Sequence, residues 1–125
     1  MATFPREIRD RLRDAREIEI ETTRNSGEKR RTIIWIAVGG DDVFVRSEYG
    51  DRGWWYRDIT ARPEARVIPR SGDRTPIDVR ALAVTDPGTV ERCSAAIRSK
   101  YRPSSAIGIM TRSPATEATL RLEPA

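Results

Sequence analysis

The apolar run Val43-Phe44-Val45 ends on Arg46-Ser47, just before the turn Glu48-Tyr49-Gly50 and a stretch with helical spacing. Arginine presents a planar fork of N–H donors, and a helix starting beside it adds unpaired amides and the positive end of its dipole. Arg52, in the first turn of that expected helix, adds a second guanidinium. These residue types at this spacing make a site for a phosphate-like anion. Upstream, Arg30-Arg31 stand where the preceding strand begins. If that strand returns through Gly39-Gly40 with Val38 facing Val43, one or both of these arginines can converge on the same anion. Each arginine taken alone also fits a solvated surface charge. Arg46 stands out because it interrupts an apolar strand and precedes a hydroxyl, whereas strand period puts Arg30 and Arg31 on opposite faces.

Trp35, Trp54, Trp55 and Tyr56 are the second concentration of interest, since aromatics beside an anion site can wall a planar ring system. Trp55 lies at helical spacing from Ile59 and Trp35 sits inside an apolar run, so both read as core. Trp54 and Tyr56 cannot both face inward with Trp55, which leaves one of them for a pocket or an interface. Cys93 falls on the apolar stripe of a helix and reads as packing.

The elements that must position these residues follow from periodicity. Phe4, Ile8 and Leu12 form the stripe of a helix within residues 1–15 that docks on the rest of the chain. Ile18, Ile20 and Thr22 alternate with glutamates as a half-buried strand, and Asn25-Ser26-Gly27 supplies a turn. Residues 31–38 read as one central strand buried on both faces, and 43–47 as its hairpin partner. Asp51 is the expected cap of a helix over 51–62, which Pro63 ends. Strands follow at 67–70 and 76–84. Asp86-Pro87 opens a helix over 86–101, with Val90, Cys93, Ile97 and Tyr101 at helical intervals. Residues 102–114 read as loop, and Leu120 and Leu122 as a last strand. The order predicts a single α+β domain over 1–125, with a barrel core at 17–84, the helix 51–62 inserted in it, and a loop and final strand at 102–125. Its antiparallel sheet closes toward a barrel with about three helices packed around it.

Composition narrows the chemistry. The 125 residues are 38% hydrophobic and 34% charged, and the mean hydropathy is −0.60, values of a folded, charged-surface protein. The formal charge of +4 is spread among interleaved acids, so no nucleic-acid stripe is expected. No apolar window approaches a membrane span, and the N-terminus lacks a signal-peptide core. With one cysteine, Cys93, the expected compartment is the cytoplasm. There is no histidine, which removes histidine base catalysis, Ser-His-Asp triads and histidine metal sites.

The ordered segments Arg30–Trp35, Val43–Ser47 and Gly53–Asp58, followed by Ala61–Val67 and the late pair Lys100-Tyr101, resemble the split β-barrel flavin-binding superfamily. That group includes pyridoxamine-phosphate oxidases and deazaflavin-dependent nitroreductases, and the chain looks most like an uncharacterised bacterial domain family within it. The resemblance covers roughly Glu17–Tyr101. It implies an antiparallel split barrel of FMN-binding type and a homodimer whose second copy supplies the other wall of the cofactor site. The cofactor phosphate would be held by Arg30 or Arg31 with Thr32, by Arg46 and Ser47, and by Arg52. The ring would lie along the strand near Ile33 and Ile34, and Trp54 stands beside the phosphate site. FMN is the expected cofactor and a deazaflavin the alternative. Such proteins need no histidine, because the cofactor carries the hydride. The expected function is a flavin-type oxidoreductase acting on a small organic substrate. The alternative is a non-catalytic ligand-binding or interaction domain on the same fold.

Overall fold

A computed structural model describes residues 2–125. Helix α1 (Arg6–Asp14) leads into β1 (Ile18–Thr23) and β2 (Lys29–Ile34), and two residues later the short β3 (Ala37–Gly39) turns into β4 (Asp42–Arg46). A 3-10 turn (Gly50–Arg52) precedes α2 (Trp54–Ala61), then come β5 (Glu64–Pro69) and β6 (Ile77–Ala83). Helix α3 (Pro87–Tyr101), the single-turn α4 (Ile107–Met110), a 3-10 turn (Ala115–Ala118) and β7 (Thr119–Pro124) complete the chain.

All seven strands join one antiparallel sheet in the order β2-β1-β5-β6-β7-β4-β3. The edge strands β2 and β3 are consecutive in sequence, separated only by Trp35-Ile36. The three peptide links from Ile34 to Ala37 span no more than about 11 Å of extended chain, so the two edges of the sheet must approach each other. The sheet therefore curls into a half-closed barrel, split where the chain crosses from one edge to the other.

Alternation in β1 works as the sequence implies: Ile18, Ile20 and Thr22 are buried, and the glutamates between them are partly exposed. Ile18 and Ile20 pack with Leu12, Val43, Val45, Trp55, Ile59, Val67 and Leu122 inside the barrel. The opposite face of β4 puts Phe44 into a second cluster with Cys93, Ile97, Tyr101 and Met110 beneath α3. Covered on both faces, β4 needs its unbroken apolar run. The Asp86 side chain caps α3 by accepting from Thr89 N–H at 2.9 Å, with Pro87 in the first turn.

Three expectations are corrected. Residues 31–38 are not one central strand but two edge strands, and β2 alternates exposed and half-buried positions. The ladder breaks because Ile36 N–H donates to Tyr101 Oη at 3.1 Å, and Ile36 C=O accepts from Lys100 Nζ at 2.6 Å. The inserted helix begins at Trp54 rather than 51, with Gly53 and not Asp51 at its cap. Gly50 has φ +64° and a Cβ there would sit 2.9 Å from Pro114, so the chain makes a tight left-handed turn before the helix can start. The segment 102–114 is not all loop, since α4 forms within it. The hairpin register Val38 opposite Val43 is as expected. Among the described residues, no helix is long and apolar enough to cross a membrane.

Candidate functional site

The split of the barrel opens a cleft of about 1120 Å³. One side is β2 with Trp35, the floor is the end of β4, and the far side is the start of α2 together with α4 and Pro114. The volume suits a cofactor-sized ligand.

Ser47 sits at the floor. It is 1% exposed, and its Oγ has no hydrogen-bond partner. A Cβ on Gly53 would collide with that oxygen, so glycine at the helix cap is what leaves it room. Helix α2 starts here with no side-chain cap and no acid in its first turn. Its first helical bond runs from Arg57 N–H to Gly53 C=O at 3.0 Å, so the amides of Trp54, Trp55 and Tyr56 precede the ladder. A buried hydroxyl without a partner beside an uncapped helix start is a place for an anion. Arg52 is exposed on the turn just before it.

Arg30 and Arg31 line the same cleft, though not through the hairpin: β2 pairs with β1, and the curl of the sheet brings it round to Ser47. The Arg30 Nε donates to Asp58 Oδ2 at 2.8 Å, and its guanidinium lies 5.6 Å from the Trp54 ring centre. Asp58 Oδ2 also accepts from Thr22 Oγ1 at 2.8 Å, so the carboxylate that holds the arginine is itself held in place. Arg31 on the other face of β2 pairs with Glu21 at 2.9 Å. Thr32 and Ile33 also line the cleft, as does Trp54 beside α2's start.

Arg46 does something else. It is 2% exposed, and its fork is spent inside the protein. Nε donates to Thr119 Oγ1 (2.9 Å), Nη1 to Ser94 Oγ (2.8 Å) and Met110 C=O (2.9 Å), and Nη2 to Val90 C=O (3.0 Å). Four of the five N–H donors of a guanidinium are thereby used. Desolvation by burial pulls its pKa down. The expected phosphate fork is therefore corrected to a brace that ties the end of β4 to α3, α4 and β7. It sets the cleft's shape while Ser47 faces its floor. Cys93 is buried, and desolvation pushes its thiol up to about 11, so it stays protonated and packs. Among the described residues no cluster of acids or cysteine could hold a metal ion.

Trp35 is the cleft residue that the sequence reading assigned to the core alone. It packs against the second core cluster as expected, stacking on Tyr101 at 3.8 Å with 3° between the rings, but it is only half-buried and also lines the cleft. An apolar run gives no local sign of which residue faces outward at a strand break. The one sequence signal was the late Lys100-Tyr101 pair, whose side chains make that break.

Among solved structures, the heme storage protein HutZ from Vibrio cholerae is 14% identical, with a TM-score of 0.72, covering 100% of this chain and 92% of that one. An F420 reductase is 17% identical with a TM-score of 0.61, covering 98% and 96%. A pyridoxamine 5′-phosphate oxidase-like protein from Listeria innocua is 12% identical with a TM-score of 0.63, covering 93% and 87%. Identities this low speak for fold alone, and the fold shared with these proteins is the antiparallel split barrel. No curated protein matches the chain in sequence. Residues 9–122 match the family described as "Uncharacterized protein conserved in bacteria (DUF2255)", and the chain belongs to that family.

Proposed function

We propose that this protein binds a flavin-type cofactor in the cleft and acts as an oxidoreductase on a small organic substrate. The observation that carries the reading is the unpartnered Ser47 hydroxyl beneath the uncapped start of α2. A phosphate seated there meets the α2 amides and the Ser47 hydroxyl, with Arg52 at the mouth and Arg30 held across the cleft by Asp58. Thr32 and Ile33 of β2, which line the cleft, would hold the ring. A cofactor bound this way supplies hydride transfer, which no side chain of this chain can perform. The protein's own part is to hold, orient and shield it.

The assembly that suits this reading is a homodimer. Ile33, Tyr49, Trp54 and Ile109 are 49%, 64%, 66% and 43% exposed, and all four border the cleft. A second copy laid over them covers the apolar rim and closes the open side. FMN is the expected cofactor, and F420 is supported by the shared fold of an F420 reductase. The fold is also that of a heme storage protein. Heme held through a histidine is ruled out here, because the chain has none. We place the protein in the cytoplasm on its single buried cysteine and lack of disulfides.

Titration of purified protein with FMN and with F420, followed by visible absorption, tests the reading. Gly53→Ala forces the Ser47 hydroxyl out of its position and is expected to weaken binding at least tenfold, the scale of a lost hydrogen bond to a charged group. Equal affinity in that variant would place the phosphate elsewhere. Binding without hydride transfer from any reductant would identify a carrier rather than an enzyme.

A further inference from the structure

We propose that Trp35 is the stacking platform for the cofactor's ring, and that Tyr101 is the residue that sets it at its angle. The inference rests on the flavin-type reading above and assigns the ring a specific partner on this chain. Trp35 and Tyr101 lie face to face, 3.8 Å apart and 3° from parallel. Two electron-rich rings disfavour such a sandwich, because their quadrupoles repel, and they slide or tilt instead. Tyr101 is not an ordinary electron-rich ring, however. The Arg16 guanidinium and the Lys100 ammonium lie over it, 5.3 Å and 5.2 Å from its centre. These cations draw on its π-density, so the indole can stack squarely against it.

Tyr101 itself cannot turn. Its hydroxyl bonds Arg16 C=O at 2.6 Å and receives Ile36 N–H at 3.1 Å, and the ring is fully buried. Those bonds also fix the chain on the far side of Trp35, at the point where β2 gives way to β3. The indole is thus clamped through its ring by Tyr101 and through its neighbouring backbone by the Tyr101 hydroxyl and Lys100. One face is spent on Tyr101, and Trp35 lines the cleft together with Ile33 and Ile34. An electron-rich indole held rigid beside a cofactor-sized cleft suits an electron-poor planar heteroaromatic ring, the class to which oxidised flavins and deazaflavins belong. Trp54, the other tryptophan on the rim, is a poorer platform. It is 66% exposed and already has the Arg30 and Arg57 guanidinium groups over its ring.

The test is fluorescence titration with FMN and with F420 of the wild type, Trp35→Leu, Tyr101→Leu, Tyr101→Phe and Trp54→Leu. Each variant is first checked for a cooperative unfolding transition. Stacked indole quenches the emission of a bound flavin or deazaflavin. The wild type is expected to quench strongly at saturation. In Trp35→Leu the emission should return, with affinity weakened roughly three- to tenfold, the range of an aromatic stacking contact. Tyr101→Leu should restore part of the emission although Trp35 is intact, and Tyr101→Phe, which keeps the ring, should quench like the wild type. Should Trp35→Leu not fold, Trp35→Phe takes its place, with emission between the two extremes. Unchanged quenching and affinity in the Trp35 variant overturn the platform while the cofactor reading stands. Emission restored in Trp54→Leu instead would assign the platform to Trp54. If neither cofactor binds the wild type, the cofactor reading falls and the platform with it.

Discussion

At the junction of β4 with the 3-10 turn, the Arg46 side chain runs into the protein and Ser47 faces Gly53. The two neighbours answer to different measurements. Arg46→Met leaves the carbonyls of Val90 and Met110 and the hydroxyls of Ser94 and Thr119 without their donor. It is expected to lower the unfolding free energy by about 3 kcal/mol or more in denaturant titration, as for a broken buried network. Ser47→Ala removes a polar atom that the fold leaves unsatisfied. Its stability should be unchanged or higher by up to about 1 kcal/mol, while FMN affinity falls roughly tenfold or more. A stability loss without a change in affinity would mean that Ser47 serves the fold alone. The sequence shows that an Arg-Ser pair ends an apolar strand; it does not show which of the two points outward. Strand alternation separates their faces, but the acceptors that capture Arg46 come from residues 44 to 73 positions away.

The elements around the cleft divide in the same way between what is local and what is not. The glutamate alternation of β1, the Asp86-Pro87 start of α3 and the Val38–Val43 register are written within a few residues of each other, and the fold realises each of them. The break between β2 and β3 depends instead on Tyr101, 65 positions from Ile36, so an unbroken apolar run at 31–38 carries no trace of it. Lys100 holds that break, donating to Leu12, Ala15 and Ile36 carbonyls at 3.0, 2.7 and 2.6 Å, and so joins the end of α1 to the split. Desolvation pulls its ammonium down to about 8, with Asp14 opposing and Arg16 and Arg13 reinforcing the shift. The unfolded chain, with an ordinary lysine near 10.4, therefore holds more protons between about pH 8 and 10. Stability contributed by this group rises with pH through that window. The difference in unfolding free energy between wild type and Lys100→Met should grow in favour of the wild type from pH 8 to pH 10. A difference flat in pH would mean that Lys100 keeps its ordinary affinity for the proton.

For the whole molecule, the split of the barrel is both the source of the cleft and its weakness as a closed site. The crossing from β2 to β3 joins two sheet edges but leaves an apolar rim of Ile33, Tyr49, Trp54 and Ile109 open to water. The second copy proposed above would cover it. Sedimentation is expected to give twice the 14.2 kDa of one chain, and Ile33→Glu, a charge in the middle of the rim, to shift it toward one copy with loss of cofactor affinity. A wild-type protein that sediments as one chain at micromolar concentration would remove the shared wall. We propose that the cleft between β2 and α2 is a cofactor site whose phosphate lies over Ser47. Visible absorption of the purified protein titrated with FMN and with F420, alongside Ser47→Ala, addresses it directly. The expected result is saturable binding of at least one of the two, with a perturbed spectrum, weakened in the variant. No binding of either cofactor at micromolar protein, or identical affinity in Ser47→Ala, would contradict it.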